Sequence, residues 1–431
     1  MRAAAVLSIT TENMRARFAD PRLRQMWSAI GATAVGTALI AAHARVYGRW
    51  LIDDAAITFA YARSIAEGNG PVLQPGAAPV EGYSNTTWLA LLTVGRLLGL
   101  FDHGAVFGIP DYVLFPKSLA LLCCAGILLA FYYAAKALTN RAALLTLIAG
   151  AVLAAIPSFV IWSFSGLENP LYALLIVLLA VILLRAVLGD WLLSDRAALL
   201  SGLTALLAAL TRPDGAIYAA AYPVVVMLFA SRGMFPRVLR QIVFSCLAFA
   251  APYAAFLAWR HATFGRWVPN TAVAKAQSAP TFDDLGRAAD LIQYAGWPAV
   301  LVAVACVGFA HARPSRVRTG LIPLLVVLAI AITGYCCLSL DWMGHYRFAS
   351  PVWALVALVA TVAIAHVLGR AGTRARIALS IVLGVAVLFS GQQMDGDARS
   401  FRADPTVPMC TVADRYGRTV NGYANLLALN H

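Results

Sequence analysis

Residues 50–88 read WLIDDAAITFAYARSIAEGNGPVLQPGAAPVEGYSNTTW, and two adjacent aspartates, Asp53 and Asp54, follow an apolar run with no cation beside them. Ile57, Tyr61 and Ile65 recur at four-residue spacing, which predicts a helix from near Asp54 to Gly68. One face of that helix would rest on a membrane or on other helices. A single acidic residue at a helix N-terminus is explained by capping and by the helix dipole. Two neighbouring carboxylates repel each other, so the pair points past capping to chemistry.

The rest of the 431-residue chain decides what the aspartates border. It is 61% hydrophobic and only 12% charged, with a mean hydropathy of +0.75. A soluble domain carries about a quarter charged residues. Runs of this length and apolarity read as transmembrane helices, which makes the chain an all-α polytopic membrane protein. The seven cysteines show no metal-type spacing. Six of them lie inside apolar runs and read as buried filler. The net charge of +13 is carried by short basic clusters between apolar runs, a sign of membrane orientation and not of nucleic-acid binding.

Spans are expected at about 28–44, 115–137, 142–162, 168–188, 197–211, 215–231, 239–259, 291–310, 319–340, 350–369 and 376–391, eleven in all. Trp88–Leu100 is short, carries Arg96 and is read as lying at the interface. With a cytoplasmic N-terminus, the inside segments then hold 18 of the 33 basic residues against four of the 20 acidic ones. Counting Trp88–Leu100 as a span would move the short basic loops outside, against the positive-inside rule. The expected organisation is a basic cytoplasmic arm (1–27), a transmembrane domain (28–391) and a short extracytoplasmic tail (392–431). The first span is read as an uncleaved anchor. Outside lie a long first loop (45–114) and a later loop (260–290).

Polar residues collect on the outside. The Pro/Gly-rich segment after the first helix carries Glu81, Tyr83 and Asn85, as a surface turn or a site lining. Glu168 stands at the outer end of a span, as a helix cap near Pro170 or as a site residue. In "LTRPDG", Arg212 and Asp214 either pair within a tight turn or line a site. The later loop supplies Asn270 and Lys275. "LDWMGHYRFASP" packs Asp341, His345, Tyr346 and Arg347 into one short turn, more than interfacial aromatics and snorkelling basic residues explain.

Carboxylates and cations gathered beside lipid suit one chemistry. A carboxylate serves as general base for a hydroxyl, and Arg, Lys or His absorbs the charge of a departing phosphate. A lipid-phosphate sugar would keep its tail in the bilayer and its phosphate at the interface. No Walker A loop, no GxGxxG after a strand and no HExxH occurs. The "DGD" at 395–397 resembles the acidic metal motif of nucleotide-sugar enzymes. It falls in the tail with no soluble fold around it and reads as chance.

The stretches "DDAAITFAYARSIAEGNG", "VEGYSN", "SGLENPLYALL", "LTRPDG", "VPNTAVAK" and "DWMGHYRFASPV" span residues 50–352 in an order that resembles GT-C glycosyltransferases using polyprenyl-phosphate sugars. Within that class the chain looks most like the terminal β-(1→2) arabinofuranosyltransferase family of the mycobacterial cell wall. The resemblance implies a GT-C fold with an outward-facing site and the acidic residue of the first outer loop as general base, here Asp53 or Asp54. It matches Glu168 to the family's second acidic position and places phosphate-binding cations in later outer loops. Arg63, Arg212, Lys275, His345 and Arg347 are the candidates, assigned on chemistry. Glu81, Tyr83, Asn85, Asp214, Asn270, Asp341 and Tyr346 are the expected site lining.

About 40 residues follow the last expected span, where the mycobacterial enzyme has a large periplasmic domain, so the acceptor is expected to be an envelope glycan, a lipid or a protein. The expected activity is inverting transfer of a sugar, D-arabinofuranose by resemblance and mannose or glucose otherwise, from a polyprenyl-phosphate donor in the cell membrane. No cofactor is firmly implied, and a divalent cation bridging Asp53 and Glu168 is left open. A lipid-linked-sugar transporter or flippase is the rival. Such proteins place ionisable residues along a path through the bilayer, whereas the expected spans here are nearly free of charge.

Overall fold

The computed structural model describes residues 21–270, 281–338 and 343–409. Lys275 and Asp341 lie outside them. The described residues form α1 (Pro21–Ala44), α2 (Asp54–Ala66), α3 (Thr86–Leu97), α4 (Asp111–Leu138), α5 (Ala142–Ala155), α6 (Pro157–Ser163), α7 (Asn169–Leu188) and α8 (Asp195–Thr211). They continue with α9 (Ala221–Phe229), α10 (Phe235–Phe264), α11 (Arg287–Ala295), α12 (Trp297–His311), α13 (Arg316–Cys337), α14 (Ser350–Arg370) and α15 (Thr373–Ala403). A small antiparallel hairpin, β1 (Ala105–Val106) with β2 (Ile109–Pro110), precedes α4.

Helix α7 is apolar on every face, as a helix buried on all sides requires. It is the most enclosed of the span candidates, 61% buried, and packs against α4, α8, α13 and α14. Helix α10 is its opposite. Only 6% of its apolar window is fully buried, and it packs on α8 along one side. Helices α1 and α5 cross closely because both are glycine at the contact: a Cβ on Gly150 would sit 2.9 Å from the Gly36 Cα.

Among the described residues seven helices are long and apolar enough to cross a membrane, or nine if two bent pairs each count as one span. The expected spans 142–162 and 291–310 are these bent pairs. The first turns by 83° between α5 and α6, where Pro157 starts a new helix and disfavours helical geometry at Ile156. The second turns by 105° at Gly296, whose φ of +84° breaks the helix before Trp297. The expected spans 197–211 and 215–231 fall on shorter elements, the 17-residue α8 and a 3-10 turn (Pro213–Ala220) leading into α9. Trp88–Leu100 belongs to the 12-residue α3, below span length. Of the cysteines expected as buried filler, Cys246 and Cys337 are instead exposed.

Helix α15 runs past the expected end at 391 to Ala403. Its last turns are polar but bury Met394, Ala398 and Phe401, one stripe at helical spacing. The chain then returns across the start of α2.

Candidate active site

Asp53 caps α2, its side chain accepting from the Asp54 N–H at 2.8 Å. The two residues before it are held from both sides. Ile52 N–H donates to the Ser165 carbonyl at 3.0 Å, and Met409 N–H to the Leu51 carbonyl at 2.9 Å. Ile52 also forms an antiparallel bridge with Pro408, and Trp50 Nε1 donates to the Thr406 carbonyl at 2.9 Å. Gly166 permits the approach: its φ is +91°, and a Cβ there would meet Ala55 and Leu51 at 3.1 Å. Asp53 is therefore presented by a backbone fixed at three points. Burial, and then the neighbouring Asp54 charge, lift its carboxyl above the ordinary aspartate range, with the charge of Arg347 pulling the other way.

Glu168 occupies the N-cap position of α7 yet makes no cap bond. Its side chain turns inward, where Oε1 accepts from Arg212 Nη1 at 3.2 Å and Oε2 from Asn85 Nδ2 at 2.9 Å. Burial opposes its charge, but Arg212, Arg347 and Asn85 together outweigh burial and hold Glu168 below the usual carboxylate range. Arg212 Nε also donates to Asp214 at 3.0 Å, and Asp214 accepts from the Tyr172 hydroxyl at 3.0 Å. The local turn pair and the longer-range contact are thus both made. Thr58 and Asn85 exchange bonds beside them.

Arg347 completes the group. It is 7% exposed, and its charge acts on both Asp53 and Glu168. The Phe348 ring lies near two guanidinium groups, with Arg212 at 4.4 Å and Arg347 at 5.5 Å from its centroid. The turn carrying Arg347 is tightly secured. Its carbonyl accepts from Asn169 Nδ2 at 3.0 Å, and the His345 carbonyl accepts from Trp162 Nε1 at 2.9 Å. His345 and Tyr346 both take positive φ, 47° and 53°. On the far side, His345 Nδ1 donates to Asp397 Oδ1 at 2.9 Å, and Tyr294 donates to Asp397 Oδ2 at 3.2 Å. The starts of α2, α3 and α7, the end of α8 and the turn before α14 thus bring Asp53, Asn85, Glu168, Arg212, Asp214 and Arg347 to one end of the bundle, with His345 behind them.

No family model and no curated protein matches the sequence. Among solved structures, the chain is similar to the archaeal oligosaccharyltransferase AglB from Archaeoglobus fulgidus in complex with an inhibitory peptide and a dolichol-phosphate. The TM-score is 0.53 at 11% identity, over 87% of this chain and 56% of that one. The apo form of the Archaeoglobus fulgidus oligosaccharyltransferase gives a TM-score of 0.53 at 11% identity, over 88% and 56%. The form tethered to an acceptor peptide containing the NVT sequon gives 0.51 at 10% identity, over 89% and 56%. The chain has the GT-C fold. It spans little more than half the length of these oligosaccharyltransferases.

On this GT-C frame several expected residues stand apart from the cluster. Arg63 is bound in a fork to buried Asp102, with Nε at 2.5 Å and Nη2 at 2.7 Å, and Arg96 shares that carboxylate. Such a pair braces α2 against the end of α3. Glu81 is fully buried against Arg260 of α10, at 2.9 Å. Tyr83 stacks edge-on against Tyr61 at 4.9 Å. These contacts fasten the Pro/Gly-rich loop to the C-terminal end of α10. Tyr346 packs on Tyr294 at 4.5 Å, and Asn270 is half-buried at the edge of the described residues.

Sequence reading missed the partners: Asp102, Arg260, Trp162, Asn169, Tyr172, Phe348 and Asp397. Asn169, Tyr172 and Phe348 stood unremarked inside the quoted stretches "SGLENPLYALL" and "DWMGHYRFASPV", and Asp397 in the "DGD" taken as chance. Its two aspartates diverge, Asp397 to His345 and Asp395 to Arg399 on the surface. The open question of a cation bridging Asp53 and Glu168 can be tested against the donor set. Both Glu168 oxygens already accept from Arg212 and Asn85, and two guanidinium charges act on the carboxylate. A divalent ion at Glu168 would meet that positive charge directly, so the arrangement does not fit one. Among the described residues no group of three or more His, Cys, Asp or Glu side chains is placed to hold a metal.

Proposed function

We propose that this chain is a membrane glycosyltransferase that moves a sugar from a polyprenyl-phosphate donor to a hydroxyl of a cell-envelope acceptor, with inversion. The observation that carries the reading is the pairing of Asp53, whose carboxyl burial lifts above the ordinary aspartate range, with two buried arginines at the same end of a membrane bundle. Asp53 takes the proton from the acceptor hydroxyl, and the oxygen attacks the anomeric carbon. The bond from that carbon to the phosphate oxygen breaks, and polyprenyl phosphate leaves with the electron pair. Arg347, which shares the Phe348 ring with Arg212, offsets the charge that develops on the phosphate. Asp54 is the second candidate base.

Glu168 holds Arg212 in place in this scheme. The dolichol-phosphate bound by the archaeal oligosaccharyltransferase of the same fold supports a lipid-phosphate donor here. The order of motifs in the sequence favours D-arabinofuranose as the sugar, and the basic inner loops favour an extracytoplasmic site in the cell membrane. Acceptors are a glycan, a lipid or a protein of the envelope. The test is a panel of radiolabelled polyprenyl-phosphate sugars offered to the full chain in proteoliposomes. Transfer from the arabinosyl lipid is expected. Transfer only from mannosyl or glucosyl lipid would retire the sugar, and uptake of donor without transfer would favour a transporter.

A further inference from the structure

The segment between α3 and α4 ends in a hairpin whose tip breaks a local rule. β1 and β2 are joined by Phe107 and Gly108, both at positive φ, 53° and 72°. A two-residue turn of this kind favours Asn-Gly or Asp-Gly. A bulky aromatic in left-handed backbone is costly, and Phe107 gains no packing within the chain in return, being 99% exposed. Val106 beside it is exposed as well.

Helix α3 leads into this hairpin with two apolar faces. Trp88, Leu89 and Leu92 are buried, whereas Leu91, Val94 and Leu98 form an exposed row at helical spacing. Leu97 and Leu100 are exposed next to that row. The charged groups of the segment turn the other way. Asp102 is buried under Arg63 and Arg96, and Asp111 accepts from the His103 and Gly104 N–H groups at 2.8 and 2.9 Å. The His103 ring bonds the Arg96 carbonyl at 2.9 Å, which ties the loop to the end of α3. The loop thus binds its carboxylates internally and turns apolar side chains outward.

The depth of this surface follows from α4. Lys117 and Lys136 stand 19 residues apart on either side of an apolar run, about 28 Å at 1.5 Å per residue. The hydrocarbon core of a bilayer is roughly 30 Å thick. Lys117 Nζ donates to the Gly48 carbonyl just past the end of α1 at 2.7 Å, so both helices leave the hydrocarbon at this level. Gly95 of α3 lies flat on the Phe115 ring with no room for a Cβ, and Phe101 packs on the same ring at 5.8 Å. Phe115 is two residues from Lys117. Helix α3 and the loop after it therefore sit at the edge of the bilayer. We propose that the exposed face of α3 and the Phe107 tip of the hairpin insert into the leaflet at the candidate-site end. The occupant is acyl chain and not a headgroup, because the cations beside the surface already hold carboxylates. Burial in lipid offsets the left-handed Phe107. The anchored helix starts at the cluster, where its N-cap Asn85 donates to Glu168 and Thr87 bonds Thr211 beside Arg212. Lipid thus holds the far end of the helix that positions Asn85, whatever the reaction.

The test places p-benzoylphenylalanine at position 107 of the full chain in proteoliposomes and reads adduct masses after illumination. A phospholipid adduct is expected at a yield like that of the same probe at Leu388, which is 70% exposed on α15. The yield should exceed that at Asn69, exposed in the loop after α2. A chain-to-chain adduct would overturn the proposal in favour of a second copy. Absence of any adduct above the Asn69 level would leave the tip in water and overturn it too. Phe107→Asn separates insertion from a structural role. Asn suits the turn, so the hairpin is expected to hold and the chain to melt no lower in detergent. In liposomes, exchange of the hairpin amides is nevertheless expected to quicken about tenfold as the tip loses its hold on lipid. Exchange unchanged or slowed, as the turn preference alone predicts, would contradict insertion.

Discussion

Asp53 and Glu168 face one cluster, but their protons are held in opposite senses. Folded Asp53 binds its proton more tightly than the unfolded chain does, so its ionisation weakens the fold as pH rises through the raised pKa. Asp53→Asn is expected to melt no lower than the parent at neutral pH, read by thermal denaturation in detergent; a clear fall would contradict the raised carboxyl. The acid limb of kcat/KM is correspondingly expected above the ordinary carboxylate range. Glu168 behaves in the reverse way. Its stabilising charge is complete above the usual glutamate range and is lost as pH falls through its lowered pKa. Arg212→Met would leave Glu168 and Asp214 without their guanidinium and is expected to cost about 3–5 kcal/mol. Melting within a degree or two of the parent would show the pair to be dispensable. Asp53, Glu168, Arg212 and Arg347 could be singled out as candidates in sequence because each stands at a helix end, in a short turn beside an apolar span. Arg260 was not, since its partner Glu81 is 179 residues away and no local pattern records such a pair.

At the scale of elements, α15 and the segment after it act as a clasp. Asp397 holds His345 and Tyr294, while Thr406 and Val407–Met409 bind Trp50, Leu51 and Asp53. One stretch of chain therefore braces both the carboxylate side and the Arg347 turn. Hydropathy could not show this. Beyond residue 391 the helix turns polar and reads as a tail, although Met394, Ala398 and Phe401 continue one buried stripe. The bends at Pro157 and Gly296 were hidden for the opposite reason, because apolarity runs through them unbroken. As a positioning residue, Asp397 is expected to be sensitive to loss of its acceptor. Asp397→Ala should lower kcat about tenfold with little change in KM for the donor, and Asp397→Asn, which keeps an acceptor for His345, should restore most of it. Equal activity of Ala and Asn variants, both near the parent, would remove the clasp from the mechanism.

For the whole molecule, composition alone was enough for an all-α membrane bundle, and the order of motifs pointed to the GT-C fold that the solved oligosaccharyltransferases share. The donor sugar is not written in residue types, since furanose and pyranose hydroxyls ask for the same donors and acceptors. The arginine-bound Glu168 makes a further expectation: sugar transfer should persist undiminished in excess chelator. Loss restored by Mg²⁺ or Mn²⁺ would contradict the arrangement. The most direct measurement compares the parent chain with Asp53→Asn and Asp54→Asn in liposomes carrying a labelled polyprenyl-phosphate sugar, following acceptor-dependent release of polyprenyl phosphate. Release by the parent and a loss of about 10²–10⁴-fold in Asp53→Asn is the expected result. Wild-type rates in both variants would contradict an aspartate base at the start of α2.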